Sequence, residues 1–328
     1  MRKFLSTAGR VTIRLLILLI AGVVLCAFWP LRLRLDVKSH PITNYEMARG
    51  EMEKIIASEP ENVPQQNRAI AMDHGHRTKD VYVLLHGLTN NPNQFRKFGQ
   101  MLFDRGANVL IPRMPHHGLA DKMNNDQGAF TAQMMVAEAS RAVDIAQGYG
   151  ERVIVAGLSV NGITAAWLGQ NRADIALAIP MAPFFVPKGI PPILTSPLAN
   201  ILQRAPNQFL WWDPRVKEHI GGGAYPRFAT HSISQTMLLG LEVAREAAHA
   251  KPKCAKILVI TTASDMAVSN VRTAEVVSLW KQSSPERVST FEFPEKLHVQ
   301  HDFIDVSQPF QQVDRVYPLL LETISAQL

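Results

Sequence analysis

The sequence predicts a chain of the α/β class: a mostly parallel central sheet with helices on both faces, an inserted helical cap and an N-terminal membrane helix. Three observations carry this expectation. Short β-branched apolar runs alternate with segments of helical periodicity from residue 80 to 182 and again from 251 to the C-terminus. Gly, Asn and Asp gather just after several of those runs, where such a sheet places its functional loops. One apolar stretch without charge, Leu15 to Trp29, stands apart near the N-terminus.

That stretch is preceded by Arg2, Lys3, Arg10 and Arg14 and followed by Arg32 and Arg34. Counted from Val11, with Arg14 reaching back to the headgroups, it approaches the roughly 20 residues a bilayer span needs. A cleaved signal peptide has a shorter core and a small-x-small cleavage site, for which Leu25-Cys26-Ala27 is a poor candidate. The segment therefore reads as an uncleaved anchor. The slight excess of cations before it places the N-terminus in the cytoplasm and the rest of the chain outside.

The net charge of +6 belongs to this end of the chain. Residues 1–38 hold seven basic residues against Asp36, and the remaining basic and acidic residues balance. A nucleic-acid partner, which needs a basic face on the folded part, gains no support. Of the two cysteines, Cys26 lies in the apolar stretch and Cys254 far from it, so no intramolecular disulfide is expected.

Residues 1–43 read as anchor and linker, 44–182 as the first part of the core, 183–250 as a cap insertion and 251–328 as the second part of the core. Helical spacing spans Asn44 to Ser58. Asp80 to Leu85 is a buried strand, Gln94 to Asp104 a helix and Ala107 to Ile111 the next strand. Thr131 to Gln147 is a helix, and Ile175 to Met181 another strand. Alternation breaks over residues 183–250, which hold many prolines, Trp211-Trp212, Gly221-Gly222-Gly223 and a helical run from Ser232 to Ala248. It resumes with a strand at Lys256 to Thr261, a helix at Val271 to Gln282 and a strand at Val288 to Phe293. A final helix falls between Pro309 and Ala326.

The chemistry concentrates in residues 152–168. A β-branched run ending at Ala156 meets Gly157-Leu158-Ser159-Val160-Asn161-Gly162 and continues as a helix. Small residues before and after Ser159 allow the sharp strand-to-helix turn that lifts a serine clear of a sheet. Gly-x-Ser alone occurs by chance about once or twice in a chain of this length; the strand and helix around it make it specific. The bland alternative is an inert capping serine.

A serine nucleophile needs an imidazole to take its proton, and the imidazole needs a carboxylate to orient it. Asp265, after the strand KILVITT, is the leading carboxylate, with a turn aspartate as the plain reading. His298, reached from VSTFEF through a short loop, is the leading base; His301, three residues on, competes with it. The amides of Leu88 and Val160 are the expected oxyanion donors, and His86 reads as a structural residue of its turn. His116, His117 and Asp121, or His298 with His301, lack a third well-spaced ligand, so no metal and no cofactor is expected.

The segments VLLHGLTNNP, GLSVNG, ITTASDMAV and KLHVQHD resemble the oxyanion turn, nucleophile elbow, acid loop and histidine loop of the α/β-hydrolase superfamily. The likeness is greatest to bacterial carboxylesterases and monoacylglycerol lipases, and covers about residues 80–328. It implies a serine hydrolase that cleaves carboxylic esters of small molecules or lipids through an acyl-enzyme, with Ser159, Asp265 and His298 as nucleophile, acid and base. Taken with the apolar run before residue 30, a bacterial chain of this kind is expected to sit in the inner membrane, with the catalytic domain in the periplasm or otherwise outside the cytoplasm. Two departures stand out: Asn161 replaces the usual glycine, and Asn90-Asn91 stands where Thr-Gly is common. An amidase, peptidase or thioesterase on the same machinery, and a non-catalytic envelope binding module, are the alternatives. The sequence leaves oligomeric state open.

Overall fold

The computed structural model describes residues 7–215, 217 and 223–328. Arg2, Lys3, Gly221 and Gly222, singled out above, lie outside them. The chain begins with α1 (Thr7–Phe28), the apolar helix, and α2 (Tyr45–Ala57), opened by the Asn44 side chain accepting from the Met47 amide. The first half of the core follows as β1 (Ile70–Met72), β2 (Thr78–Leu85), α3 (Asn93–Phe103), β3 (Asn108–Ile111), α4 (Ala132–Tyr149), β4 (Gly150–Leu158), α5 (Val160–Asn171) and β5 (Leu177–Met181). Between β5 and the next strand of the sheet lie α6 (Thr195–Arg204), β6 (Phe209–Trp211), β7 (Arg227–Ala229) and α7 (Thr230–His249), the stretch read from the sequence as an insertion. The chain closes with β8 (Lys256–Thr262), α8 (Asn270–Ser283), β9 (Val288–Phe293) and α9 (Val313–Ser325).

Seven strands form one sheet in the order β1-β3-β2-β4-β5-β8-β9. All pair in parallel except β1, which runs antiparallel to β3 at the edge. This edge strand of three residues is too short for alternation to show, and the sequence reading passes over it. The central strands are apolar on both faces because helices cover both. Val81, Val83, Leu84, Val155, Ala156 and Ile179 are all fully buried. The same logic makes α5 apolar all round: it is wedged between the sheet and α7, and Val160 to Gln170 are buried.

The strand order reverses between β2 and β4. From β2 the chain moves outward to β3; from β4 it moves the other way to β5. In such sheets a crevice opens at the carboxyl ends of the two strands flanking the reversal. Register sets Leu85 beside Gly157, so the loop after β2 and the turn after β4 emerge side by side at that crevice.

Residues 31–38 form an extended strap. Leu31, Leu33, Leu35 and Val37 face inward against the core, while Arg32, Arg34, Asp36 and Lys38 are exposed. Asp36 and Gln133 exchange backbone-to-amide hydrogen bonds at 3.1 and 3.0 Å. The Asp144 carboxylate accepts from the His40 amide at 2.9 Å and the Ser39 hydroxyl at 3.1 Å. The inward-outward alternation is legible in LRLRLDVK, and it attaches the apolar helix firmly to the body.

Candidate active site

Ser159 stands between β4 and α5 with φ 59° and ψ −115°. A non-glycine residue there is strained and persists only where its surroundings hold it. They do. The Ser159 amide donates to Met181 O at 2.9 Å, and its carbonyl accepts from Phe184 N at 3.0 Å and Gly162 N at 2.9 Å. Tight contacts enforce the glycines. A Cβ on Gly157 would lie 2.0 Å from Asn161 O, and one on Gly162 would lie 2.9 Å from Met181 O. The second small residue of the turn is therefore Gly162, which frees position 161 for a side chain.

Asn161 uses that freedom. Its buried amide donates to His86 O and accepts from the Thr164 hydroxyl at 2.9 Å. It bolts the nucleophile turn to the loop after β2. The other departure from the family pattern acts likewise: Asn90 Nδ2 donates to Asp305 Oδ2 at 3.0 Å, tying the same loop to the segment after β9. Gln94 Oε1 accepts from the Gly87 amide at 2.8 Å. His86 is fully buried; its Nε2 accepts from Met114 N at 3.1 Å, so Nδ1 carries the proton and faces Gly87 O at 3.0 Å. Burial drives its pKa down to about 3, with a further push from His117. A neutral ring committed at both nitrogens is a structural pin, not a base.

These ties leave two backbone donors beside Ser159. The Leu88 amide has no acceptor among the described residues, and Leu88 lines the cavity. Val160 is the first residue of α5, where an N–H has no acceptor within its own helix and the helix dipole favours negative charge.

Asp265 follows β8 and is only 2 % exposed. Its Oδ1 accepts from Ala267 N at 2.8 Å and Val268 N at 3.0 Å. Its Oδ2 lies 2.8 Å from Nδ1 of His301. The expected partner, His298, is not there. It is exposed, it caps the short turn Glu295–Leu297 in a left-handed conformation (φ 50°), and it does not line the cavity. The chain turns back at Val299, whose carbonyl accepts from the Thr262 hydroxyl at 2.7 Å, and this carries His301 to the carboxylate. The ring that pairs with Asp265 is thus His301, the competitor in the sequence, and not the leading candidate His298, which that turn swings outward.

The electrostatics fit the pair. Burial raises the Asp265 pKa, but the His301 hydrogen bond and charge, with the two amides, outweigh it and hold the carboxyl below its ordinary value. Burial likewise lowers His301, yet Asp265, helped by Asp302, holds the imidazole above its ordinary value. A ring that donates from Nδ1 to a carboxylate has Nε2 free to accept.

Ser159 and His301 line one cavity of about 580 Å³. Its remaining wall is largely apolar, with Phe184, Trp212, Phe228, Ile233 and Phe310. The insertion is latched to the loop after β2 through Thr89 (φ 65°), whose hydroxyl accepts from Trp212 Nε1 at 3.0 Å and whose carbonyl accepts from Tyr225 N at 2.9 Å. Nothing in the sequence spacing signals this latch. Among the described residues no group of three His, Cys, Asp or Glu is placed to hold a metal ion.

Residues 82–314 match the model of the alpha/beta hydrolase family. The chain belongs to that family. Solved structures agree in fold. A chain of LipS and LipT, two metagenome-derived lipolytic enzymes, aligns at TM-score 0.58 and 17 % identity, over 80 % of this chain and 99 % of its own. A Paleococcus ferrophilus monoacylglycerol lipase aligns at 0.59 and 14 %, over 79 % and 98 %. A soluble variant of Saccharomyces cerevisiae monoglyceride lipase, in complex with a substrate analogue, aligns at 0.61 and 10 %, over 79 % and 90 %. Comparison with curated protein sequences finds no match.

Proposed function

We propose that this alpha/beta hydrolase is a membrane-anchored serine esterase acting on carboxylic esters of small molecules or lipids. The observation that carries the reading is a strained Ser159 that lines one cavity with His301, whose ring is paired to the buried Asp265. His301 Nε2 takes the Ser159 hydroxyl proton as Oγ attacks the ester carbonyl. The Leu88 and Val160 amides receive the oxyanion. His301 then returns the proton to the leaving alcohol, leaving an acyl-enzyme that water cleaves by the same route. Asp265 fixes the tautomer and stabilises the imidazolium.

The apolar wall suits an acyl chain, and the lipolytic neighbours support an ester substrate. The helix Val11–Phe28 is long and apolar enough to cross a membrane. We read it as an inner-membrane anchor with the N-terminus cytoplasmic and the domain outside.

A fluorophosphonate probe is expected to label the wild type and not Ser159→Ala; equal labelling of both ends the proposal. Rates on an ester and an amide of one acyl group then fix the bond class. The pH profile supplies a second check. The base must be neutral, and its pKa is raised, so kcat/KM falls as pH drops through a value above the ordinary imidazole pKa of about 6.5. Asp302→Asn removes one charge that raises it and is expected to move the acidic limb downward. An upward shift contradicts the assignment of His301.

A further inference from the structure

The apolar helix is gripped by the insertion. In α6, the buried Asn200 donates to Ala27 O at 2.8 Å and accepts from Leu31 N at 3.1 Å. Arg204 donates to Cys26 O at 2.9 Å and to Trp29 O at 3.0 Å. The last carbonyls of a helix have no intrahelical partners. In a lipid interface, where water is scarce, their satisfaction by side chains weighs more. Ala27, the one buried residue of the span window, sits beneath α6.

This grip fixes the insertion at the outer end of the helix. Phe28 and Trp29 are exposed there, and tryptophan at such an end marks the headgroup layer. On the segment leading into and along α6, Ile193 is 83 % exposed, and Leu194 and Ile201 are exposed as well. The packed strap at residues 31–38 removes the slack that would let the body tilt away. Large apolar side chains left in the open next to a membrane helix, on a rigid mount, match a lipid surface as partner.

We propose that Asn200 and Arg204 clamp the insertion to the end of the span, so that the edge around Ile193, Leu194 and Ile201 docks in the headgroup layer of the same bilayer. This rests on the anchor reading above. Docking holds the ester cavity at the lipid surface, and esters resident in the bilayer become the favoured substrates over those in water.

The test uses the full chain in vesicles of phosphatidylethanolamine and phosphatidylglycerol, in a Cys26→Ser background; Cys254 is buried and does not react. An environment-sensitive fluorophore is placed on Val23→Cys, Ile193→Cys or Glu286→Cys. Nitroxide-bearing lipids are expected to quench the labels at 23 and 193 and to spare the one at 286. Asn200→Ala with Arg204→Ala is expected to abolish most quenching at 193, to slow hydrolysis of a vesicle-borne long-chain ester, and to leave hydrolysis of a water-soluble acetyl ester unchanged. Quenching at 23 with none at 193 overturns the docking and leaves the anchor standing. No quenching at 23 overturns the anchor and the docking with it. Undiminished quenching at 193 in the double variant overturns the clamp.

Discussion

His301→Ala is expected to lower kcat on a short-chain p-nitrophenyl ester by on the order of 10,000-fold or more, whereas His298→Ala stays within about twofold of wild type. The contrast follows from where the two rings stand. His301 Nδ1 is 2.8 Å from a carboxylate that is itself held by two amides. In the proposed mechanism its loss leaves the serine without a proton acceptor, and it leaves the buried Asp265 without its imidazole partner. His298 is exposed at the end of a short turn and lines no part of the cavity. The groups act as a unit, so Ser159→Ala with His301→Ala is expected to be little worse than either alone. Removing the ring from the buried Asp265 is expected to lower the melting temperature, so a cooperative unfolding transition well above the assay temperature is what separates lost chemistry from lost fold. If His298→Ala is the dead variant and His301→Ala the active one, the site assignment fails.

The sheet, its helices and the nucleophile turn were legible because each rests on local pattern. VIVAG followed by a helix can be read without knowing what packs on it, and so can the apolar runs of β2 and β8. Asp265 was legible as a candidate for the same reason, being the first carboxylate after its strand, and the fold pairs it with a histidine. The ring that pairs with Asp265 was not legible, and the sequence led to His298 instead, because His298 and His301 differ only in how a few intervening residues turn. That turn is set by Val299 and Thr262, which meet only in the folded chain. The two asparagine departures were visible but carried no meaning in one dimension. Their partners, His86 and Asp305, lie far along the chain. The same holds for Trp212 on Thr89 and Arg204 on Trp29, contacts that join segments more than a hundred residues apart. Long-range polar ties between loops leave no periodicity to read.

Two glycine-to-alanine substitutions, one in the turn and one in α2, are expected to have opposite signs. Gly157→Ala puts a methyl 2.0 Å from Asn161 O and 2.6 Å from its carbonyl carbon. Those are backbone atoms of the first turn of α5, and no side-chain rotamer can relieve them. Either the strand or the helix must shift, which displaces Ser159 from the Leu88 and Val160 amides and strains the Asn161 tie to His86. A loss of roughly 3 kcal/mol or more in stability is expected, at the upper end for overpacking of a closed site. Esterase activity should fall by on the order of 100-fold or more, because a misplacement of about 1 Å suffices for that. Gly50→Ala is the converse. Gly50 lies within α2 with nothing near its Cβ position, so removing a flexible residue from a helix interior is expected to stabilise by about 0.5–1 kcal/mol and leave activity intact. Urea unfolding and ester turnover on both variants make the comparison. A Gly157→Ala protein as stable and active as wild type would show that the closeness of position 157 to Asn161 does not hold the serine in place.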